Sequence, residues 1–433
     1  MVGTGSSLTL AGHHVSISPR VAAAVIAREV FTMPRGLRLW IAFLVTIIVL
    51  AVPAALVALP PGWEVLGTSP TFEWGILIVG YVFFAITTSG LCLASSLGTV
   101  FGIERFRPLE KRHAILAVLC LVAAFGIIAL DLHYPVRLAF GVIVHPSPTS
   151  PMWWMGVCYG FYLCVLLVEV WSMFTNHPVV HQAACTIAAG TAIIAPATLG
   201  AVFGILAARP FWNGPFTPVL MVATAFLSGT SLLGIVFFAV HRFGLEGADR
   251  AERLAIPAIR TLMLIGLVAV GLLVARQVAA GLMSDRASLV QATTGLVSGP
   301  LAPGFWAVRV GLGLVVPMVL LALPATRTTS GTGVAAILTL AGVFADRMTF
   351  VAAGQIAPTS ASGVAAAPYT AYTPSLVEIA ILLGAAAFVA LGYTMAERYL
   401  DLREATAHVP MRLPRLPGRL ARITAPTTEG DPS

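Results

Sequence analysis

The residues best suited to chemistry are the few that carry charge or an exchangeable proton inside an otherwise apolar chain. Glu73 with Trp74, Asp131, His133, Tyr134, Arg137 and Glu378 all fall where long apolar stretches begin or end. With successive stretches antiparallel, they reach one level on one face of the molecule. Carboxylates, a guanidinium, an imidazole and a phenol at one membrane depth suit a ligand with a polar head and a lipid-soluble tail. A quinone is such a ligand: its two carbonyl oxygens accept hydrogen bonds, and its reduction takes up two protons. Structural roles compete for the same residues. Glu73 and Glu378 can be carboxylates at helix N-termini, stabilised by the dipole. Trp74, Trp153 and Trp154 suit an interfacial belt, and Asp131 with Arg137 can form an ion pair.

Charge within apolar stretches is costly and marks function by default, and three such residues stand out. Asp346 and Arg347 are neighbours in the ninth stretch. Adjacent positions on a helix do not face each other, so each is expected to pair with a different helix. Asp346, with Arg347 tuning it, is then a candidate for proton transfer across the bilayer. Glu169 lies about 24 Å deeper than Trp153 at 1.5 Å per residue. It reads either as the start of a proton path or as an acid snorkelling to the far interface.

The histidines fall in loops or at the ends of the stretches, which leaves no axial pair at mid-depth for a b-type haem. The five cysteines show no Cys-x-x-Cys spacing of a zinc or iron–sulfur site. No haem, cluster or metal is therefore expected in this chain, and electrons passing through it would need clusters in another subunit. No Walker motif or Gly-x-Ser-x-Gly turn gives support to ATP coupling or serine hydrolysis.

The elements that must position these residues are membrane spans. Of 433 residues, 58% are apolar and 10% charged, and the mean hydropathy is +0.92. Soluble domains run near half apolar and a quarter charged, so a cytosolic enzyme, a nucleic-acid binder and a secreted disulfide scaffold are excluded. About 20 apolar residues cross a bilayer as a helix. Ten stretches qualify: residues 37–59, 74–101, 114–132, 153–174, 184–206, 217–241, 255–275, 304–323, 333–351 and 376–399. The expected fold is an all-α, polytopic transmembrane bundle. Met1 to Gly36 lacks the compact apolar run of a cleavable signal, so the first span is expected to insert the chain.

The net charge is +7, and most basic residues fall in alternate connections. The exceptions are Arg137, Arg209, Arg276, Arg286, Arg309 and Arg347. By the positive-inside rule both termini are cytoplasmic. Residues 1–36 form a cytoplasmic segment, 37–399 the transmembrane domain, and 400–433 a cytoplasmic tail without periodicity, expected to be disordered. The outer connections, residues 132–152, 276–303 and 352–375, are long and rich in Pro, Gly and Ser. Two small-residue clusters, Thr87-Thr88-Ser89-Gly90 and Ser228-Gly229-Thr230-Ser231, suit close helix packing.

A set of short motifs resembles a known family. These are Glu73-Trp74-Gly75, Arg107-Pro108-Leu109, Asp131-Leu132-His133-Tyr134-Pro135, Ser150-Pro151-Met152-Trp153, Leu199-Gly200, Ala208-Arg209-Pro210-Phe211-Trp212, and Tyr372-Thr373-Pro374-Ser375 running to Glu378. In order and spacing they resemble the NrfD-like polysulfide reductase membrane subunits, in the ten-span form similar to the hydrogenase membrane subunit. The resemblance implies a haem-free subunit of a bacterial respiratory oxidoreductase in the inner membrane, exchanging electrons with menaquinone or ubiquinone. It further implies a ferredoxin-like four-iron cluster subunit and a molybdopterin or nickel–iron catalytic subunit as partners. The implied quinone site spans Glu73 to Tyr81 and Asp131 to Arg137. His133 and Tyr134 stand where the family commonly has Gly-Arg, and Ile194 to Thr198, just before Leu199-Gly200, holds no His where hydrogenase-type relatives tend to have one. A secondary transporter, with Pro196 and Pro317 breaking helices, and a purely structural anchor are the rival functions.

Overall fold

The computed structural model describes residues 7–10, 13–16, 33–59, 62–132, 144–175, 177–242, 250–357, 369–400 and 402. The 400–433 tail, apart from residues 400 and 402, and most of the 1–36 segment lie outside the described residues. A short antiparallel hairpin, β1 (Ser7–Leu10) and β2 (His13–Ser16), precedes the helices. The helices are α1 (Arg35–Val57), α2 (Ile76–Thr99), α3 (Glu110–Asp131), α4 (Pro151–Thr175), α5 (Pro178–Gly204) and α6 (Phe216–Arg242). They continue as α7 (Arg250–Leu282), the short α8 (Ala287–Val297), α9 (Gly304–Ala322), α10 (Thr329–Ile356) and α11 (Leu376–Tyr399). Ten of them, all but α8, are long and apolar enough to cross a membrane. An even number of crossings returns the chain to the face from which α1 departs.

The helix ends follow local chemistry. Pro178 opens α5, where its missing N–H costs nothing. Thr328 caps α10 by accepting from the Gly331 N–H, and Ser375 caps α11 in a reciprocal box with Glu378. Two expectations shift. The connection 276–303 is largely helical, because α7 runs on to Leu282 and α8 fills much of the rest. In addition, α3 and α5 begin several residues before their apolar stretches, which takes Glu110, Arg112, His113 and His181 into helices.

Helix α2 is the axis of the molecule: 83% of its central window is buried, against 17% for α1. It packs on α3, α5 and α6, while α4 closes a ring between α3 and α5. The small-residue clusters do bring α2 and α6 together. A Cβ on Gly90 would lie 1.7 Å from the Ala225 carbonyl oxygen, and one on Gly229 would lie 1.9 Å from the Gly90 carbonyl carbon. A second group, α6, α7, α9 and α10, shares α6 with the first. Helix α1 lies along α11 at the periphery. Large apolar side chains such as Leu39, Phe43, Leu50 and Leu56 are exposed along α1, as expected of surface solvated by lipid.

Candidate functional site

At the end of the bundle where α2 begins, one buried carboxylate organises the backbone. Glu378, in the first turn of α11, accepts hydrogen bonds from the Gly67 N–H at 3.0 Å, the Ser375 N–H at 2.8 Å and the Tyr372 hydroxyl at 2.9 Å. Tyr372 in turn accepts from the Ile76 N–H at 2.7 Å, satisfying a donor at the start of α2. Gln355, on the last turn of α10, receives the Trp74 N–H at 2.9 Å and returns a bond to the Trp74 carbonyl at 3.0 Å. Gly75 is needed in this knot, since a Cβ there would sit 2.7 Å from both Glu378 Oε1 and the Tyr372 hydroxyl. Burial, reinforced by the Glu378 and Asp131 carboxylates, pushes the Tyr372 phenol above its ordinary value, against the opposing effect of the Ile76 N–H.

The residues expected to form a site share this end but face three ways. Asp131, at the last position of α3, lies within electrostatic reach of Glu378 and is half-buried. Tyr81 is buried and turns toward α4, donating a weak bond to the Met155 sulfur at 3.4 Å. Beside it the buried Tyr159 hydroxyl faces the Ser89 hydroxyl without a well-formed hydrogen bond. Trp74 stacks on Trp212, with centroids 4.9 Å apart, and meets Phe203 edge-on, so it belongs to an aromatic cluster rather than to a lipid-facing belt. Glu73 is exposed. His133, Tyr134 and Arg137 lie outside the described residues.

Deeper, Arg347 departs from the expectation drawn from its adjacency to Asp346, whereas Asp346 does pair with another helix. Arg347 reaches the Asp346 carboxylate itself, lies over the Phe350 ring and touches the Met221 sulfur. The other oxygen of Asp346 meets Arg309 from α9. All three are buried, and together they carry a formal charge of +1. Arg309 stands on a π-helical stretch, Gly304–Val315, the type of helix that recurs at functional sites. A cavity of about 20 Å³, room for roughly one water, is lined by Asp346, Arg309, Thr224 and neighbouring apolar groups.

At the opposite end, Glu169 is not a snorkelling acid: it is 1% exposed and pairs with His113 of α3 at 3.1 Å. Three residues before His113, Glu110 meets His181 of α5 at 2.5 Å. Also at the start of α3, Arg112 pairs with Glu397 of α11 at 2.8 Å. Glu110 and Asp131 bound α3, so the two polar ends are about 30 Å apart at 1.5 Å per residue. Tyr159, Arg309, Gln355, Glu110, His113 and His181 were absent from the expected site. Their sequence signal was a polar residue inside or just before an apolar run, which does not name the partner.

The family model described as polysulphide reductase, NrfD, matches residues 64–359. That range holds Glu73, Trp74, Tyr81, Asp131, Glu169, Asp346 and Arg347, but not Glu378. The chain is similar to a putative dimethyl sulfoxide reductase membrane subunit of Halobacterium salinarum, 24% identical over 86% of this chain and 93% of that one. It is similar to an Hdr-like menaquinol oxidoreductase integral membrane subunit of Archaeoglobus fulgidus, 23% identical over 78% and 86%. A selenate reductase subunit of Mesobacillus selenatarsenatis is 21% identical over 74% and 83%.

Proposed function

This chain belongs to the NrfD polysulphide reductase family, and on that premise we propose that it is the quinone-reactive membrane subunit of a bacterial inner-membrane oxidoreductase. The observation that carries the reading is the family match over residues 64–359, shared with relatives named as subunits of reductases, one of them a menaquinol oxidoreductase. Electrons pass between the menaquinone or ubiquinone pool and a ferredoxin-like four-iron subunit, which serves a molybdopterin or nickel–iron catalytic subunit. The quinone site is at the end where α2 begins. Asp131, Tyr81 and Trp74, with His133, Tyr134 and Arg137, receive the headgroup, and Glu73 or Glu378 exchanges protons with it.

Two observations support that placement. The Tyr81 hydroxyl is engaged only weakly, by a thioether, and the Tyr159 hydroxyl beside it faces Ser89 without a well-formed hydrogen bond. Both are donors that a quinone carbonyl can use. Glu378, by contrast, is already held by three donors, so its share in proton exchange runs through Tyr372 and the nearby Asp131. Asp346 with Arg347 and Glu169 are the groups proposed to carry protons within the bundle, each already in a buried ion pair.

The test is purification of the tagged chain from its native membrane in mild detergent, with co-purifying chains identified by mass spectrometry and quinol-linked turnover measured. A cluster-binding subunit and a metal-dependent catalytic subunit are expected. Asp131→Asn should lower turnover by about tenfold, the effect of one lost charge-assisted hydrogen bond, with the complex still assembled. A lone chain without quinone-dependent activity overturns the reading, and full turnover in the Asp131 variant overturns the site.

A further inference from the structure

The end of the bundle far from the proposed quinone site holds a second constellation that electron exchange with quinone does not use. Glu110 opens α3, His181 and Cys185 lie one turn apart on α5, and Ser172 stands on the last turns of α4. Glu110 is 1% exposed, His181 0% and Cys185 4%. One ligand atom from each of these three lies within 4.8 Å of the others.

Ring orientation follows from hydrogen bonding. The Ser172 hydroxyl donates to the Glu169 carbonyl at 2.9 Å, so its lone pairs are left to accept from His181 Nδ1 at 3.3 Å. That bond puts the proton of a neutral imidazole on Nδ1, as hydrogen-bonded partners do for metal-bound histidines. The Nε2 lone pair then points at Glu110 Oε1, 2.5 Å away, and at Cys185 Sγ, 3.5 Å away. A nitrogen lone pair, a carboxylate oxygen and a sulfur thus converge at one buried point, the arrangement of a cation site.

We propose that Glu110, His181 and Cys185 bind a divalent transition-metal ion of the zinc class, clamping α3 to α5 at this end of the membrane domain. One nitrogen, one sulfur and one oxygen are the donor set such an ion takes in tetrahedral sites. Glu169, which faces the Cys185 thiol from α4, stands in the fourth direction and also pairs with His113. Charge balances. Loading exchanges the ion for two protons, one from the Cys185 thiol and one shared between Glu110 and His181. Two protons leave as one divalent ion enters, so loading does not change the net charge of these three side chains together with their ion. Metal–ligand bonds of about 2.0–2.3 Å set ligand atoms roughly 3.3–3.8 Å apart. The Nε2–Sγ pair already has that spacing, and Glu110 must withdraw by about 1 Å.

The experiment uses the full-length, tag-free chain in mild detergent, stripped with chelator and then titrated with Zn²⁺ or with Co²⁺ as a spectroscopic probe. One equivalent should survive desalting, and the Co²⁺ form should show ligand-field bands together with a thiolate-to-metal charge-transfer band. Cys185→Ser should abolish the charge-transfer band and weaken retention at least about tenfold. His181→Gln should abolish stoichiometric binding, with size-exclusion profiles certifying that both variants are folded. Wild-type uptake no greater than that of folded His181→Gln overturns the site and leaves a proton as the shared cation. A charge-transfer band that persists in Cys185→Ser overturns it as well. Neither outcome bears on quinone turnover, which reads the opposite end of the bundle.

Discussion

Single side chains here do work that only their partners reveal. Tyr372 joins α2 to α11 by accepting from Ile76 and donating to Glu378. Tyr372→Phe leaves a buried backbone donor unsatisfied, a loss of about 1–3 kcal/mol, visible as a lower unfolding temperature in detergent. The raised phenol pKa has a definite sign. Its contribution to stability is fully present below the ordinary tyrosine value of about 10 and is lost as pH rises through the higher folded value. Thermal stability should therefore fall above about pH 10, and the Phe variant should show less of that fall. Asp346 makes the opposite case. Asp346→Asn strips two buried arginines of their counter-charge, worth about 3–5 kcal/mol, and the double variant with Arg309→Gln should recover part of the loss. An additive double variant would dissociate Arg309 from the pair. Adjacency in sequence suggested that Asp346 and Arg347 would look elsewhere. The long Arg347 side chain bends back onto Asp346 instead, while Asp346 also meets Arg309 on another helix, a partner that position along the chain does not name.

Helices set which of these meetings can occur. The α2–α6 crossing depends on Gly90 and Gly229 lying backbone to backbone. Gly90→Leu should abolish recovery of monodisperse protein, because no side chain can yield to a Cβ 1.7 Å from a carbonyl; even modest overpacking costs about 1–3 kcal/mol. Gly190→Ala, with nothing within 4 Å of its added carbon, should match the wild type in size-exclusion yield. The π-helical stretch of α9 sets the register of Arg309 in the same way. Deleting one residue between 304 and 308 turns the rest of the helix by about 100°, and should cost as much as removing Arg309. The ten spans were legible because twenty-residue apolar runs have few other fates in water or lipid. Helix ends were less so: trimming spans to their apolar part left Glu110, His113 and His181 in supposed loops. Those residues are tolerated inside helices because each finds an oppositely charged or hydrogen-bonding neighbour across the ring.

For the whole molecule, the charge asymmetry of the connections predicts orientation. Reporter fusions should place both termini in the cytoplasm and the connection around Ser147 on the other side; a terminus reporting from the outer face would reverse the assignment of every site described. That orientation rests on the distribution of basic residues among the connections. The family match runs over residues 64–359 and so leaves out α1 and α11, the two helices that lie along each other at the periphery. They are two arms on one side of an eight-span block, one from each end of the chain, with α11 packed on α3 and α1 packed on α11. Each arm carries its terminus across the bilayer once. A relative built from the block alone would have both termini on the face opposite to those of this chain, while every helix of the block kept its direction. Terminal tags would then report inverted proteins where the working parts are superimposable, and orientation in this family should be compared by the loops of the block rather than by the ends of the chain.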